Sequence, residues 1–259
     1  MKKTASDEKH AERFQKLLLR ENELLKKYPM VAGVDEAGRG PLAGPVVCAA
    51  AMRSAAPFRE EDLPWLMAIY DSKQLTERQR EEVFVHLMSP ESPLSVSVAK
   101  AEAEEIDETN ILKATHRAMK SAVDGLPEKP GFVLVDGTAI PDLDIPQEKI
   151  IKGDSLCLCI AAASIAAKVT RDHIMLELDK EFPEYGFAKH KGYGTAFHLQ
   201  ALRRHGRSSV HRRTFYVEGL DPKRERGAEK RTAGGGPDGR GTGKEGLSDN
   251  SPQLSLFEE

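Results

Sequence analysis

The sequence predicts an α/β fold: a mixed sheet flanked by helices, then a C-terminal helical lobe and a disordered tail. Three observations predict it. Two apolar runs, residues 30–35 and 45–52, are joined by a glycine-rich turn, which is a hairpin signal. Later short apolar runs alternate with helical stretches, the pattern of a sheet with helices packed on it. Further helical segments follow the last strand. Beyond them, residues 221–252 hold eight glycines and three prolines, with Leu247 as their only larger aliphatic residue. Such a segment cannot bury enough apolar surface to offset its ordering entropy.

The elements follow in chain order. Over residues 9–27, Phe14, Leu17, Leu18, Leu24 and Leu25 fall mostly on one helical stripe, which predicts a docking helix. Thr76 opens a helix running to about residue 88, with Glu77 early in its first turn. Residues 94–99 read as a strand of alternating polarity, and Thr109 as the cap of a helix to about residue 123. Residues 132–136 form a buried strand and 149–151 a shorter one. A long helix with an alanine-rich first half spans residues 155–182, and a short helix residues 194–204. The expected division is a helical arm at residues 1–28, one domain at 29–220 and a tail at 221–259.

Composition sets limits on class. The chain has 259 residues; without its ends, about 190 remain, enough for one domain with a real core. Its three cysteines, Cys48, Cys157 and Cys159, show no Cys-x-x-Cys pairing and no histidine at zinc spacing, so they read as small apolar core residues of a reducing compartment. Charged residues, not an apolar run, follow the basic Met1-Lys2-Lys3-Thr4, so no signal peptide is expected. The longest apolar run, near residues 157–167, is too short to span a bilayer. These features predict a soluble, cytoplasmic monomer without a membrane partner. The net charge is −3, yet residues 187–217 carry seven Lys or Arg, four of the eight His, and no acid. A one-signed segment in a mixed chain is either a solvated basic face or the footprint of a phosphate backbone.

The most informative string is Gly33-Val34-Asp35-Glu36-Ala37-Gly38-Arg39-Gly40-Pro41. Carboxylates at a strand end can hold a hard cation, which takes oxygen ligands. A glycine turn lets backbone N–H groups approach a phosphate or sugar. Because successive strand residues point to opposite faces, Asp35 and Glu36 share a site only if the strand stops or bends there. Asp136 ends an apolar strand before Gly137, and would neighbour Asp35 if the two strands are adjacent. Asp136-Gly137 is equally an ordinary turn dipeptide, and Asp154 equally the N-cap of the long helix.

Residues 33–45, Gly-Val-Asp-Glu-Ala-Gly-Arg-Gly-Pro-Leu-Ala-Gly-Pro, resemble the opening motif of the type 2 ribonucleases H, in particular bacterial ribonuclease HII. Further blocks resemble that family in the same order: Asp71-Ser72-Lys73-Gln74-Leu75, Val133-Leu134-Val135-Asp136-Gly137, Lys152-Gly153-Asp154, Ser164-Ile165-Ala166-Ala167-Lys168-Val169-Thr170-Arg171-Asp172 and His190-Lys191-Gly192-Tyr193-Gly194-Thr195. About thirty residues precede the first motif, fewer than the extra N-terminal domain of the related type HIII enzymes requires.

The resemblance implies a ribonuclease H-like fold. It also implies an endoribonuclease that acts on RNA–DNA hybrids and incises 5′ of ribonucleotides embedded in duplex DNA, as in ribonucleotide excision repair. The ends left are a 3′-hydroxyl and a 5′-phosphate. Asp35, Glu36, Asp136 and Asp154 would hold two divalent ions, Mn²⁺ or Mg²⁺; without them, some of these carboxyls should have raised pKa values. Gly38, Arg39, Gly40 and Tyr193 would read the ribose 2′-hydroxyl, which distinguishes RNA from DNA. Lys73 and Lys168 would contact phosphates, although Lys168 is also placed for an i,i+4 pair with Asp172. Arg203, Arg204, Arg207, Arg212 and Arg213 are candidates to extend that track.

Two other classes remain. A metal-dependent phosphotransferase could use the glycine turn as a nucleotide loop, but Gly-x-x-x-x-Gly-Lys-[Ser/Thr] is missing and the turn joins two strands. A non-catalytic replication-associated binding module would not need four acids. At the extreme C-terminus, Gln253-Leu254-Ser255-Leu256-Phe257 resembles the motif by which bacterial replication and repair proteins bind the sliding clamp.

Overall fold

The computed structural model describes residues 5–70 and 72–222. The glycine-rich stretch and the Gln253–Phe257 motif lie outside them. The first element, α1 (Ala5–Leu24), leads into a hairpin of β1 (Met30–Ala37) and β2 (Val46–Ser54). Next come α2 (Leu63–Leu66), α3 (Glu77–Leu87), β3 (Ser95–Ala101), α4 (Ala103–Glu108) and α5 (Ile111–Asp124). Strands β4 (Phe132–Asp136) and β5 (Gln147–Ile150) precede the long α6 (Leu158–Glu181), α7 (Phe187–His190) and α8 (Ala196–His205). The sheet order is β3-β2-β1-β4-β5. β1 pairs antiparallel with β2 and parallel with β4, so the sheet is mixed.

Strand alternation sorts the core into two layers. Ala32 and Val34 of β1, with Val133 and Val135 of β4, face Ala114, Ala118 and Ala122 of α5. On the other face, Val31 and Leu134 pack with Ile160 of α6. Gly33 permits that second layer. A Cβ there would stand 2.3 Å from the Ile160 nitrogen, so any side chain would push α6 off the sheet. The residues Leu158–Ala167 are buried all round, which explains why this half of α6 is apolar without a polar face.

The N-terminal helix docks on this framework. Phe14, Leu17 and Leu18 join the core under α6. Glu21, fully buried, accepts the Cys159 N–H at 2.6 Å and pairs with Arg53 at 3.3 Å, placing a carboxyl oxygen on the first turn of α6. The three cysteines are buried and free. Among the described residues, no helix is long and apolar enough to cross a membrane.

Boundaries differ from the sequence reading in instructive ways. Thr76 caps α3 with a full capping box to Gln79. Asn110, not Thr109, caps α5: its side chain accepts the Lys113 N–H at 2.9 Å, while Thr109 ends the preceding α4. Residues Gly153–Ser155 form a 3₁₀ turn, and α6 begins only at Leu158.

Candidate active site

Two adjacent parallel strands end at the same edge of the sheet, the place where open α/β sheets bind ligands. Asp35 and Glu36 lie near the end of β1, and Asp136 is the last residue of β4. All three line one cavity of about 230 Å³, together with Gly38, Lys73, Lys168 and Tyr193. Pairing between β1 and β4 reaches only Val34–Val135. Beyond it β1 pairs with β2 alone, as far as Ala37. The strand runs through Glu36 and stops one residue later, at Ala37, where Gly38 turns the chain at φ +93°. Both acids line the opening because β4 no longer flanks β1 there.

Asp154 reaches the same neighbourhood by a separate route. The Gly153 N–H donates to Asp136 Oδ1 at 2.7 Å, tying the 3₁₀ turn to the end of β4. The Asp154 carboxylate stands 3.8 Å from Lys73 Nζ. It is not the N-cap of α6; Cys157 occupies that position. Glu36 is turned toward Arg39 Nη1 at 3.3 Å. Lys168 makes its i,i+4 pair with Asp172 at 2.7 Å and also lines the cavity.

The electrostatics of the cluster are strained. Burial, then the charges of Glu36 and Asp136, holds the Asp35 carboxyl well above its usual range, although a hydrogen bond with Ser164 opposes the shift. Burial likewise raises Glu36, with Arg39 opposing. Among the described residues, no three His, Cys, Asp or Glu form a ready-made ion cage. The donor chemistry nonetheless suits a hard divalent cation: the ligands are all oxygen, and added positive charge would relieve their repulsion. Arg39 and Lys73 supply part of that charge in this arrangement.

Two buried arginines build the turn beside the acids, a role that no pattern in the sequence assigns them. Gly38 has φ +93°, and a Cβ there would lie 2.0 Å from Arg171 Nε. Arg171 donates to the carbonyls of Pro45, Ala43 and Lys191 at 3.0–3.1 Å. Arg212 donates to those of Gly38, Arg39 and Gly44 at 2.6–3.0 Å. Burial lowers both guanidinium pKa values. Arg212 is thus no part of a phosphate track, and Arg207 is engaged by Asp221 at 2.7 Å. Arg203, Arg204 and Arg213 are exposed. Gly40 faces the ring of Tyr193, whose Cε1 would lie 3.7 Å from a Cβ at that glycine.

The comparisons with known proteins agree with one another. The family model described as Ribonuclease HII matches residues 32–217. Ribonuclease HII of Desulfitobacterium hafniense is 55% identical over 206 residues, 79% of this chain and 76% of that protein. In structure, ribonuclease H2 from Pyrococcus horikoshii matches with a TM-score of 0.57 at 31% identity, covering 72% of this chain and 93% of that one. Ribonuclease HII of Archaeoglobus fulgidus, solved in a complex with PCNA, matches with a TM-score of 0.59 at 26% identity, covering 73% and 96%. The motifs, the mixed sheet with its acid-lined edge and these likenesses together show that the chain belongs to the ribonuclease HII family, nucleases of the hydrolase class with ribonuclease H activity.

Proposed function

We propose that the chain cuts the RNA strand of RNA–DNA hybrids and incises 5′ of single ribonucleotides in duplex DNA, leaving 3′-hydroxyl and 5′-phosphate ends. The observation that carries this reading is the meeting of Asp35, Glu36 and Asp136 with Gly38 and Tyr193 around one cavity. Acids that can hold cations lie there beside groups that can read a sugar. Asp35, Glu36, Asp136 and Asp154 would hold two divalent ions, Mg²⁺ or Mn²⁺. Bound there, the ions would supply an activated water and stabilise the leaving 3′-oxygen.

The chain's own residues do the rest. The Gly38-Arg39-Gly40 backbone can approach a ribose at Gly40, where a missing Cβ leaves room beside Tyr193, while the missing Cβ of Gly38 lets Arg171 brace the turn from behind. The Tyr193 hydroxyl can hydrogen-bond a 2′-hydroxyl while its half-exposed ring stacks on a neighbouring sugar. Lys73 and Lys168 hold phosphates at the cavity wall. Three buried free thiols suit a cytoplasmic setting. Outside the described residues, Gln253, Leu254, Leu256 and Phe257 would bind a sliding clamp, a partner supported by the PCNA complex of the Archaeoglobus fulgidus relative.

One assay tests the core of this reading: a duplex with a single ribonucleotide, incubated with and without Mg²⁺ or Mn²⁺. Cleavage 5′ of the ribonucleotide only with metal supports it. Metal-independent cleavage, or intact duplex under both conditions, overturns it.

A further inference from the structure

Three of the four histidines in the basic segment are buried. His190 and His198 stack at 4.5 Å between ring centroids, and His198 and His211 lie among Tyr185 and Phe187. These imidazoles form no cationic surface. Burial, chiefly, lowers the His198 pKa to about 4 and that of His211 to about 3, and the nearby Arg207 charge adds to the His211 shift. Both rings are neutral at ordinary pH.

Their hydrogen bonds have a direction. The Ser208 N–H donates to His211 Nδ1 at 3.0 Å, so that nitrogen carries no proton. The proton of neutral His211 is then on Nε2, which meets His198 Nε2 at 3.0 Å. His198 must accept there, which puts its own proton on Nδ1. That nitrogen lies 2.9 Å from the Tyr193 carbonyl, a pure acceptor. The two ends of the chain thus require the same tautomers independently. A fully satisfied buried network of this kind specifies one geometry.

The Tyr193 backbone is held at both ends: its N–H donates to the His190 carbonyl at 2.9 Å, and its carbonyl also accepts the Thr195 N–H at 2.8 Å. Tyr193 stands between Gly192 and Gly194, residues with wide backbone freedom, and its side chain is half exposed at the cavity. We propose that His198 and His211 are positioning residues, a directional relay from Ser208 to the Tyr193 carbonyl that holds the Tyr193 ring at the angle needed to read a ribose. The proposal rests on the reading of Tyr193 as a ribose-sensing group.

Two variants of one residue separate the relay's halves. His198→Asn places an amide donor where Nδ1 stands and keeps the bond to Tyr193. His198→Gln keeps a group toward His211 but loses the donor to Tyr193. For a duplex with one ribonucleotide, His198→Gln should lower kcat/KM about ten- to a hundredfold, the scale of a small misplacement, while His198→Asn recovers most of the loss. In a Tyr193→Ala background His198→Gln should cost little more, because it acts through the same group. Equal losses in the Asn and Gln variants, or full additivity with Tyr193→Ala, would overturn the relay while leaving the Tyr193 reading intact. If Tyr193→Ala alone leaves cleavage unchanged, the Tyr193 reading fails and the relay fails with it. Nitrogen NMR on the wild-type protein is independent of how the variants fold. It should show protons on His198 Nδ1 and His211 Nε2 at neutral pH; any other tautomer, or a charged ring, overturns the proposal.

Discussion

Arg212 Nη2 donates to the Gly38 carbonyl at 2.6 Å, and this bond ties the segment after α8 to the turn beside the acids. The same guanidinium holds the Arg39 carbonyl at 2.9 Å and the Gly44 carbonyl through two of its nitrogens. These four bonds leave from three separate nitrogens of one planar fork; an ammonium has three donors on a single atom and cannot reproduce that spread. Arg212→Lys should therefore destabilise the protein by about 3 kcal/mol, the scale of leaving buried polar groups unmet. It should also lower cleavage, because the turn loses its shape. Urea unfolding and kcat/KM measure both. A stable variant with normal turnover would show that the turn does not depend on the clamp.

The acid cluster predicts a separation of binding from chemistry. Asp35→Asn and Asp136→Asn keep side-chain shape but remove the charge that would hold an ion. Each should abolish cleavage and leave duplex affinity largely intact. Added Mg²⁺ or Mn²⁺ should raise the thermal midpoint of the wild-type protein, since cation binding relieves the repulsion that raises Asp35 and Glu36. In either variant that stabilisation should shrink. Near wild-type turnover in Mg²⁺ would remove the substituted residue from the metal site.

Tyr193→Phe should impair ribonucleotide-containing duplexes selectively, because only the hydroxyl is lost and only RNA offers it a partner. Products should carry 3′-hydroxyl and 5′-phosphate ends, as attack by water requires. Attack by the 2′-hydroxyl would leave a cyclic phosphate, and finding one would exclude the proposed chemistry. An equal loss of affinity for all-DNA duplex would make Tyr193 a packing residue.

Glu21 carries the pH dependence of the docked N-terminal helix. Burial raises its pKa above the ordinary 4.5, more than Cys159 and Arg53 lower it. The folded state then holds the proton more tightly than the unfolded state. The associated stability is complete below 4.5 and is lost as pH rises through the folded value. Glu21→Gln should remove this slope and still accept the Cys159 N–H. Glu21→Ala should cost about 3–5 kcal/mol, because it leaves the Arg53 charge buried without its partner. Unfolding in urea across that pH range checks both; a wild-type slope retained in the Gln variant would assign the titration elsewhere.

Much of this architecture was legible because local and long-range signals coincide. The hairpin, the apolar strand ending in Asp136 and the alanine-rich half of α6 have periods that only one arrangement satisfies. The adjacency of Asp35 and Asp136 followed once β1 and β4 were neighbours. Short elements were not legible: α2, α4 and α7 span four to six residues, too few for a helical period to register. The basic segment is only partly legible, for another reason. Charge counted along a chain does not show which side chains turn inward, and Arg212, His198 and His211 all do. Their role depends on carbonyls of Gly38, Gly44 and Tyr193, which a sequence pattern does not display.

In Gln253-Leu254-Ser255-Leu256-Phe257, three apolar side chains follow a stretch, residues 221–252, whose only larger aliphatic residue is Leu247. Apolar groups so placed gain most by burial against a partner. Between the last described residue and this motif lie residues 223–252, a length that would span about 30 Å if it behaved as a flexible coil. A nuclease tethered by it could search duplex near a clamp at raised effective concentration. A lone motif of this size should bind on the order of micromolar, about −8 kcal/mol. Replacing Leu256 and Phe257 with Ala should abolish binding to a bacterial sliding clamp and leave cleavage of free oligonucleotides unchanged. If the wild-type protein shows no association at tens of micromolar clamp, roughly tenfold above that affinity, the motif is not a clamp ligand and the nuclease reading stands without it.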